Sequence, residues 1–360
     1  MSMSEHKYLQ LAALLREQIQ EGIYAKGARL PGELTLARQE RCSRQTVRQA
    51  IGLLEEEGLL CRRQGSGTYV RQSASRRSRT RNIAVVTTYI GEYIFPDILQ
   101  EIEHTLSQNR YAALLFATHN RVDRERQVLT ELLQKPVDGL IVEGTKTALP
   151  NPNIDLYRQF EGMGLPVVFL NGVYAELPEA VYVMADDCQG GRLACRDLLR
   201  RGCRRVAGIF KGDDLQGHRR YAGYTQALRE AGLPVVDDRV LWYTTEDRVD
   251  LLEAAVPNLL RGCDGLVCYN DQVAYQVLEV ARRRGITPPR LASFDHSVFA
   301  QVSPTPFLSL YSPKEELGRQ AAEKLLQMLR GRRESSVLLP WRLEEEPSPE
   351  NTADNSPAQL

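Results

Sequence analysis

The chain has 360 residues, 42% of them hydrophobic and 26% charged, enough for two or three domains with cores of their own. The formal net charge is zero but unevenly spread: up to Arg81 there are 15 Lys and Arg against 8 Asp and Glu, so the remainder is acidic. A basic head on an acidic body confines any polyanionic partner, nucleic acid or an anionic membrane surface, to the head.

The opening segment, MSMSEHKYLQLAALLREQ, has no continuous apolar run of the kind a signal peptide needs. No stretch approaches the roughly 20 apolar residues of a membrane helix. The seven cysteines form no CxxC pair, which points to reduced core thiols, no metal centre and a cytoplasmic chain.

From Tyr8 the apolar positions Tyr8, Leu11, Ala12, Leu15 and Ile19 fall at helical spacing, and Gly22 can end that helix. A turn at Pro31–Gly32 precedes a second short helix from about Glu33. In CSRQTVRQAIGLLEEEGLL (42–60), Ser43 suits an N-cap, Val47, Ala50, Ile51 and Leu54 share one face, and Gly58 suits the left-handed position after the helix. That leaves Arg44, Gln45, Thr46 and Arg48 facing outward in the first turn and a half.

Two helices joined by a short turn, with Arg and Gln opening the second, are what a helix-turn-helix needs to read guanine and adenine edges in the major groove. LLCRRQGSGTYV (59–70) then reads as strand, Gly-rich turn and strand, a wing carrying Arg62, Arg63 and Gln64. A solvated helix face would explain Arg44 or Arg48 alone; helix, cap, wing and basic surplus together favour DNA. Gly65 and Gly67 make a tight hairpin here and no nucleotide loop, since no strand-turn-helix surrounds them.

Residues 7–70 resemble the winged helix-turn-helix of the GntR family through LPGE (30–33), SRQTVRQAI (43–51), EGLL (57–60) and QGSGTYV (64–70). The resemblance implies that Lys7, Glu33, Arg44, Gln45, Thr46, Arg48, Gln64 and Gly65 lie at or near DNA. For Glu33, accepting from cytosine and capping its own helix are equally open. Residues 72–82, rich in Ser and Arg without apolar periodicity, read as a basic flexible linker.

From Ile83 strand and helix patterns alternate: IAVV, AALLFATHN, VDGLIVEG, LPVVFLNG, RRVAGIFKG, CDGLVCYND and LASFDH, with helical periodicity between. Such βα units predict parallel sheets covered by helices, and their number favours two doubly wound lobes over one sheet. The body is expected over 83–343, with a polar disordered tail at 344–360.

Ligands of such sheets bind beyond the carboxyl ends of the strands. Standing there are Tyr89, Tyr93 and Phe95, then Asn120, Glu143, Lys146, Asn171, Lys211, Asp213, Asp214, Asn270, Asp271 and Asp295. Planar hydrogen-bonding groups flanked by aromatics suit a polyhydroxylated ligand, whereas phosphate would call for clustered Gly and Arg. The plain alternative is that Asn and Asp after a strand cap the next helix. Capping is the preferred reading for Asp271, and ligand contact for Asn270 and Asp295 with Arg220. A sugar-acting enzyme with Glu143 and Asp295 as a carboxylate pair is the rival reading; five scattered histidines and the lack of a phosphate loop or nucleophile elbow speak against it.

The body resembles the effector domain of LacI/GalR repressors and periplasmic sugar-binding proteins, through HRRYAGY (218–224), YNDQVA (269–274) and SFDHS (293–297). His296 stands where that family has a second Asp. The resemblance implies Arg220, Asn270 and Asp295 as sugar ligands from one lobe and Tyr93, Phe95, Glu143 and Asn171 from the other. A GntR head on a LacI/GalR body resembles regulators of the arabinose-repressor type. That implies a homodimer on double-stranded operator DNA, L-arabinose as effector, no cofactor and no membrane partner.

Overall fold

A computed structural model describes residues 3–25, 27–56, 59–63, 66–70, 80–91, 93–312 and 314–343. The expected left-handed Gly58, the wing-tip residues Gln64 and Gly65, most of the linker and the tail at 344–360 lie outside the described residues. The chain divides into two units, Met1–Arg79 and Thr80–Leu360.

In the first unit, helices α1 (Met3–Gln20), α2 (Glu33–Gln39) and α3 (Arg44–Glu56) precede strands β1 (Leu60–Arg63) and β2 (Gly67–Val70). Leu11, Ala12 and Leu15 of α1 bury against Val47, Ala50, Ile51 and Leu54 of α3, the face that helical spacing predicts. Gly22, just past α1, has φ +83°. Ser43 Oγ accepts from the Thr46 N–H at 3.1 Å and so caps α3. β1 and β2 pair antiparallel, Leu60 opposite Val70 and Arg63 opposite Gly67.

The second unit has two α/β lobes. The chain runs β3 (Asn82–Thr87), α4 (Phe95–Gln108), β4 (Ala112–Ala117), α5 (Val122–Gln134), β5 (Gly139–Glu143), α6 (Ile154–Gly162), β6 (Val167–Leu170) and β7 (Val181–Ala185) through the first lobe. It crosses to α7 (Asp187–Arg200), β8 (Val206–Lys211), α8 (Leu215–Glu230), β9 (Val240–Tyr243), α9 (Arg248–Arg261), β10 (Gly265–Cys268), α10 (Asp271–Arg283), β11 (Arg290–Phe294), α11 (Val298–Val302) and β12 (Leu308–Leu310). It then returns to the first lobe as α12 (Lys314–Leu329) and β13 (Val337–Leu339).

Strand order is β13-β7-β6-β5-β3-β4 in the first sheet and β12-β11-β10-β8-β9 in the second. Every pairing in both is parallel. Parallel sheets need both faces covered, and both are. In the first lobe α4 and α12 pack on one face through Ile98, Ile102, Ala321 and Leu325, and α5 and α6 cover the other through Leu129, Leu132 and Phe160. In the second lobe α9 and α10 face α7 and α8 across the sheet.

Four strands escape the sequence reading: β7, β9, β12 and β13. They are three to five residues long and lie at or beside sheet edges, where apolar runs are short. With β13 and α12 missed, the first lobe reads as complete too early; the structure closes it with the far end of the chain. After β13, Trp341 is buried in the core of the second lobe, where its backbone N–H donates to Gln189 Oε1 at 3.0 Å. The polypeptide therefore passes between the lobes three times.

The stretch expected to be a flexible linker ends before residue 82. The Thr80 hydroxyl and N–H donate to Asp138 Oδ1 at 2.9 and 2.8 Å, the Arg81 N–H donates to Oδ2 at 3.1 Å, and β3 begins at Asn82. All seven cysteines are free thiols. Among the described residues no helix is long and apolar enough to cross a membrane.

Candidate functional site

The head presents its polar face at the start of α3. Arg44, Gln45 and Arg48 are exposed there, and Lys7 is exposed on α1. Thr46 is buried, its hydroxyl 2.8 Å from Ser43 Oγ, so it fastens the helix start.

Glu33 neither caps α2 nor stands free to meet a base. The N-cap of α2 is Gly32, with no side-chain cap bond. The Glu33 carboxylate accepts from Arg48 Nε and Nη2 at 3.3 and 3.0 Å, and Arg44 and Arg62 stand 3.7 Å away. It thus ties two arginines of the recognition helix to one of the wing. The Arg48 fork holds its carboxyl below the usual glutamate range.

In the body, the carboxyl ends of both sheets face one cleft of about 380 Å³. Tyr93, Phe95, Glu143, Asn171, Arg220, Asn270 and Asp295 all line it. Phe95 does so from the first turn of α4, where it also packs into the first-lobe core, and so belongs to a helix although the sequence suggests a loop.

From the first lobe, Glu143 Oε2 accepts from the Thr88 N–H and hydroxyl at 2.9 and 2.5 Å, and Oε1 accepts from Asn171 Nδ2 at 3.1 Å. Burial raises the Glu143 carboxyl above its usual range against the pull of those donors.

From the second lobe, Arg220 is fully enclosed. α7 and α8 cross nearly backbone to backbone: a Cβ on Gly191 would lie 2.0 Å from the Arg220 carbonyl oxygen, and one on Gly223 would lie 1.9 Å from that of Cys188. This approach sets Arg220 Nε 2.8 Å from Asp187 Oδ1. Arg220 also donates to the Tyr269 carbonyl, and its guanidinium lies 4.4 to 5.0 Å from the rings of Phe294, Tyr269 and Trp341. The partner expected for it, Asp295, is at 4.0 Å. Burial pushes the Asp187 carboxyl up to about 6, although Arg220 draws it down.

The capping roles at β10 are reversed from the expectation. Asn270 Oδ1 accepts from the Val273 N–H at 3.0 Å and caps α10 while its residue lines the cleft. Asp271 points the other way, accepting from the Ser297 N–H and hydroxyl and the Ser309 hydroxyl at 2.7, 2.9 and 2.6 Å. Burial first, then the charge of Asp295, pushes its carboxyl up to about 6.

The lobes touch across the cleft. Tyr93 donates to Asp295 Oδ2 at 2.5 Å, Asn120 Nδ2 to Thr245 Oγ1 at 2.6 Å, and Lys146 Nζ to Glu246 Oε1 at 2.6 Å. Burial, then Asp295, keeps the Tyr93 phenol well above its usual range and therefore protonated as a donor. Tyr93, Asn120, Lys146, Asn171 and Asp295 all have positive φ, from 48 to 92°. Such backbone costs about 1–3 kcal/mol per residue and persists only where the surroundings hold it.

The sequence reading left other lining residues out. Lys211 and Asp214, both at strand ends, line the cleft and pair at 2.6 Å. Burial opposes the Lys211 charge, but Asp214 and Asp213 outweigh it and hold the ammonium above the usual lysine range. Tyr243, Thr245 and Arg248 follow from β9, a strand the sequence did not reveal. Gln272 lies two residues after Asn270 within YNDQVA, a spacing that could have flagged it.

Chemically the cleft offers amides, carboxylates, two guanidiniums, an ammonium and aromatic faces. Among the described residues no three His, Cys, Asp or Glu gather as a metal site. Donors, acceptors and rings of this kind can bond hydroxyl groups and cover C–H faces.

Comparison with known proteins bears on both units. Residues 7–70 match the bacterial regulatory proteins of the gntR family, and residues 195–346 match the periplasmic binding protein-like domain. The chain is 40% identical to the arabinose metabolism transcriptional repressor of Geobacillus stearothermophilus over 91% of its own length and 92% of that protein's. It is 35% identical to the protein of the same name from Halalkalibacterium halodurans, over 89% of each. The transcription regulator CcpA of Lactococcus lactis superposes with a TM-score of 0.66 at 22% identity, covering 74% of this chain and 98% of that one, which speaks to fold alone. Head, body and their order along the chain are thus those of transcriptional regulators and not of an enzyme, and the chain belongs to the family of arabinose metabolism transcriptional repressors.

Proposed function

We propose that this protein represses arabinose-utilisation genes by binding operator DNA as a homodimer in the cytoplasm, and that L-arabinose, bound between the lobes, releases it. The observation that carries the reading is the convergence of Tyr93, Glu143, Asn171, Arg220, Asn270 and Asp295 on one cleft lined by donors, acceptors and rings. Two arginines and a glutamine at the exposed start of α3, with Arg62 on the wing beside them, support DNA as the head's partner. A half-site reader on a two-fold operator needs a two-fold protein. A different pentose is the second reading, since the same groups would serve any ring of similar hydroxyl pattern.

The test is calorimetric titration against a panel of monosaccharides, followed by operator mobility shifts with and without the sugar that binds. L-Arabinose should bind alone or most tightly and should lower operator affinity. Arg48→Ala should weaken operator binding by about 1–3 kcal/mol and leave sugar affinity unchanged. Uptake of none of the sugars, or binding with no effect on the operator, would overturn the reading.

A further inference from the structure

Helix α8 presents Arg220 to the cleft, yet its own N-cap side chain does not serve its first amide. Its N-cap residue is Asp214, whose side chain makes no cap bond. The Asp214 carboxylate is taken by Lys211 Nζ at 2.6 Å. The first amide of the helix is satisfied from across the cleft: the Leu215 N–H donates to Thr147 Oγ1 at 3.0 Å.

Thr147 is held in place to do this. It sits in a slot between two glycines, where a Cβ on Gly144 would lie 2.7 Å from its Cγ2 and one on Gly172 would lie 2.8 Å from its Oγ1. Its loop also reaches the second lobe by the Ala148 N–H, which donates to the Asp213 carbonyl at 3.2 Å. Beneath the loop is the buried carboxylate of Glu125. It accepts from the hydroxyls of Tyr174 and Tyr157 at 2.6 and 2.8 Å and from the amides of Asn151 and Asn153, both at 2.7 Å. The Thr145 N–H donates to the same Tyr174 hydroxyl at 2.7 Å.

We propose that Thr147 is a positioning residue that caps helix α8 from the opposite lobe, so that lobe closure completes the helix that presents Arg220. The orphan amides of a helix start need acceptors, and here one acceptor comes and goes with the cleft. Closure around a ligand therefore firms the first turn of α8, and opening frees it. For the sugar response, this rests on the effector reading above.

The experiment compares wild type with Thr147→Val, which keeps the shape and removes the acceptor, and Thr147→Ser, which keeps the acceptor. Hydrogen exchange at the Leu215 amide and calorimetric titration with L-arabinose are measured on the full chain. The valine variant should exchange about fivefold faster and bind L-arabinose about fivefold more weakly, and serine should restore both. If the valine variant misfolds, Thr147→Ala, which leaves room in the slot, must show the same fast exchange. Equal Leu215 exchange in wild type, valine, alanine and serine forms overturns the cap. If wild type takes up no L-arabinose, the sugar reading fails, and the exchange comparison still decides the cap.

Discussion

Asp187 accepts from Arg220 at 2.8 Å where both side chains are almost wholly buried, and its other oxygen, Oδ2, is buried with no hydrogen-bond partner. A buried pair of this kind contributes little net stability when whole and costs much when halved. Asp187→Ala should therefore lower unfolding free energy by about 3–5 kcal/mol in urea titration. Replacing both, as Asp187→Leu with Arg220→Met, should recover much of that loss while the sugar response stays absent. Recovery of the response in the double variant would remove Arg220 from the site.

Asp271 makes stability depend on pH. Its native carboxyl is pushed from 3.8 up to about 6, so between those values the native state keeps a proton that the unfolded chain has lost. The sign is then set: this group makes stability fall as pH rises from about 4 to 6. Asp271→Asn should make the slope of unfolding free energy against pH more positive in that window, by up to about 1.4 kcal/mol per unit. An unchanged slope would contradict the shift.

Two of the contacts between the lobes should differ widely in weight. Lys146 and Glu246 meet at the rim, where Glu246 is mostly exposed, and such pairs contribute about 0–1 kcal/mol. The Tyr93 hydroxyl donates to a buried carboxylate, a bond in the range of about 1.5–3 kcal/mol. Tyr93→Phe should weaken sugar affinity more than about tenfold, and Lys146→Met less than about fivefold. The reverse order would mean that the rim holds the cleft shut.

Asn270 caps α10 and lines the cleft, and one substitution can separate the cap from the proposed sugar contact. Ser caps nearly as well as Asn, so Asn270→Ser should hold stability within about 0.5 kcal/mol. It lacks the amide donor, so sugar affinity should drop while operator binding persists. Normal affinity in a stable Asn270→Ser protein would leave the cap as its whole role.

The Glu33 carboxylate stands within 4 Å of three arginines, Arg44, Arg48 and Arg62. Glu33→Gln should raise affinity for random duplex and steepen its salt dependence, because freed guanidiniums can each meet a phosphate. Operator binding should then gain less than random binding in competition assays. Equal gains would reduce Glu33 to a surface charge.

Residue types at strand ends reveal the cleft because a parallel strand is a buried apolar run whose end is abrupt. Asn171 after VVFL and Asp295 after LASF are found that way. Arg220 lies within a helix and not at a strand end, and its partner Asp187 is out of reach of such reasoning. Asp187 opens α7, and only the close crossing at Gly191 and Gly223 brings it to α8. Asn270 and Asp271 are adjacent and similar, so their exchange of roles depends on backbone direction at one position. Glu33 is equally opaque, since its three partners lie on two other elements.

The return of the chain to finish the first lobe sets an order of assembly on the ribosome. The strands from β3 to β7 emerge early, but α12, which covers one face of their sheet, and the edge strand β13 are made only after the whole second lobe. Until then Ile98, Ile102 and their neighbours on α4 lack the partner that buries them. The second lobe can thus gather most of its core first, lacking only Trp341, while the earlier-made lobe waits for residues 314–339.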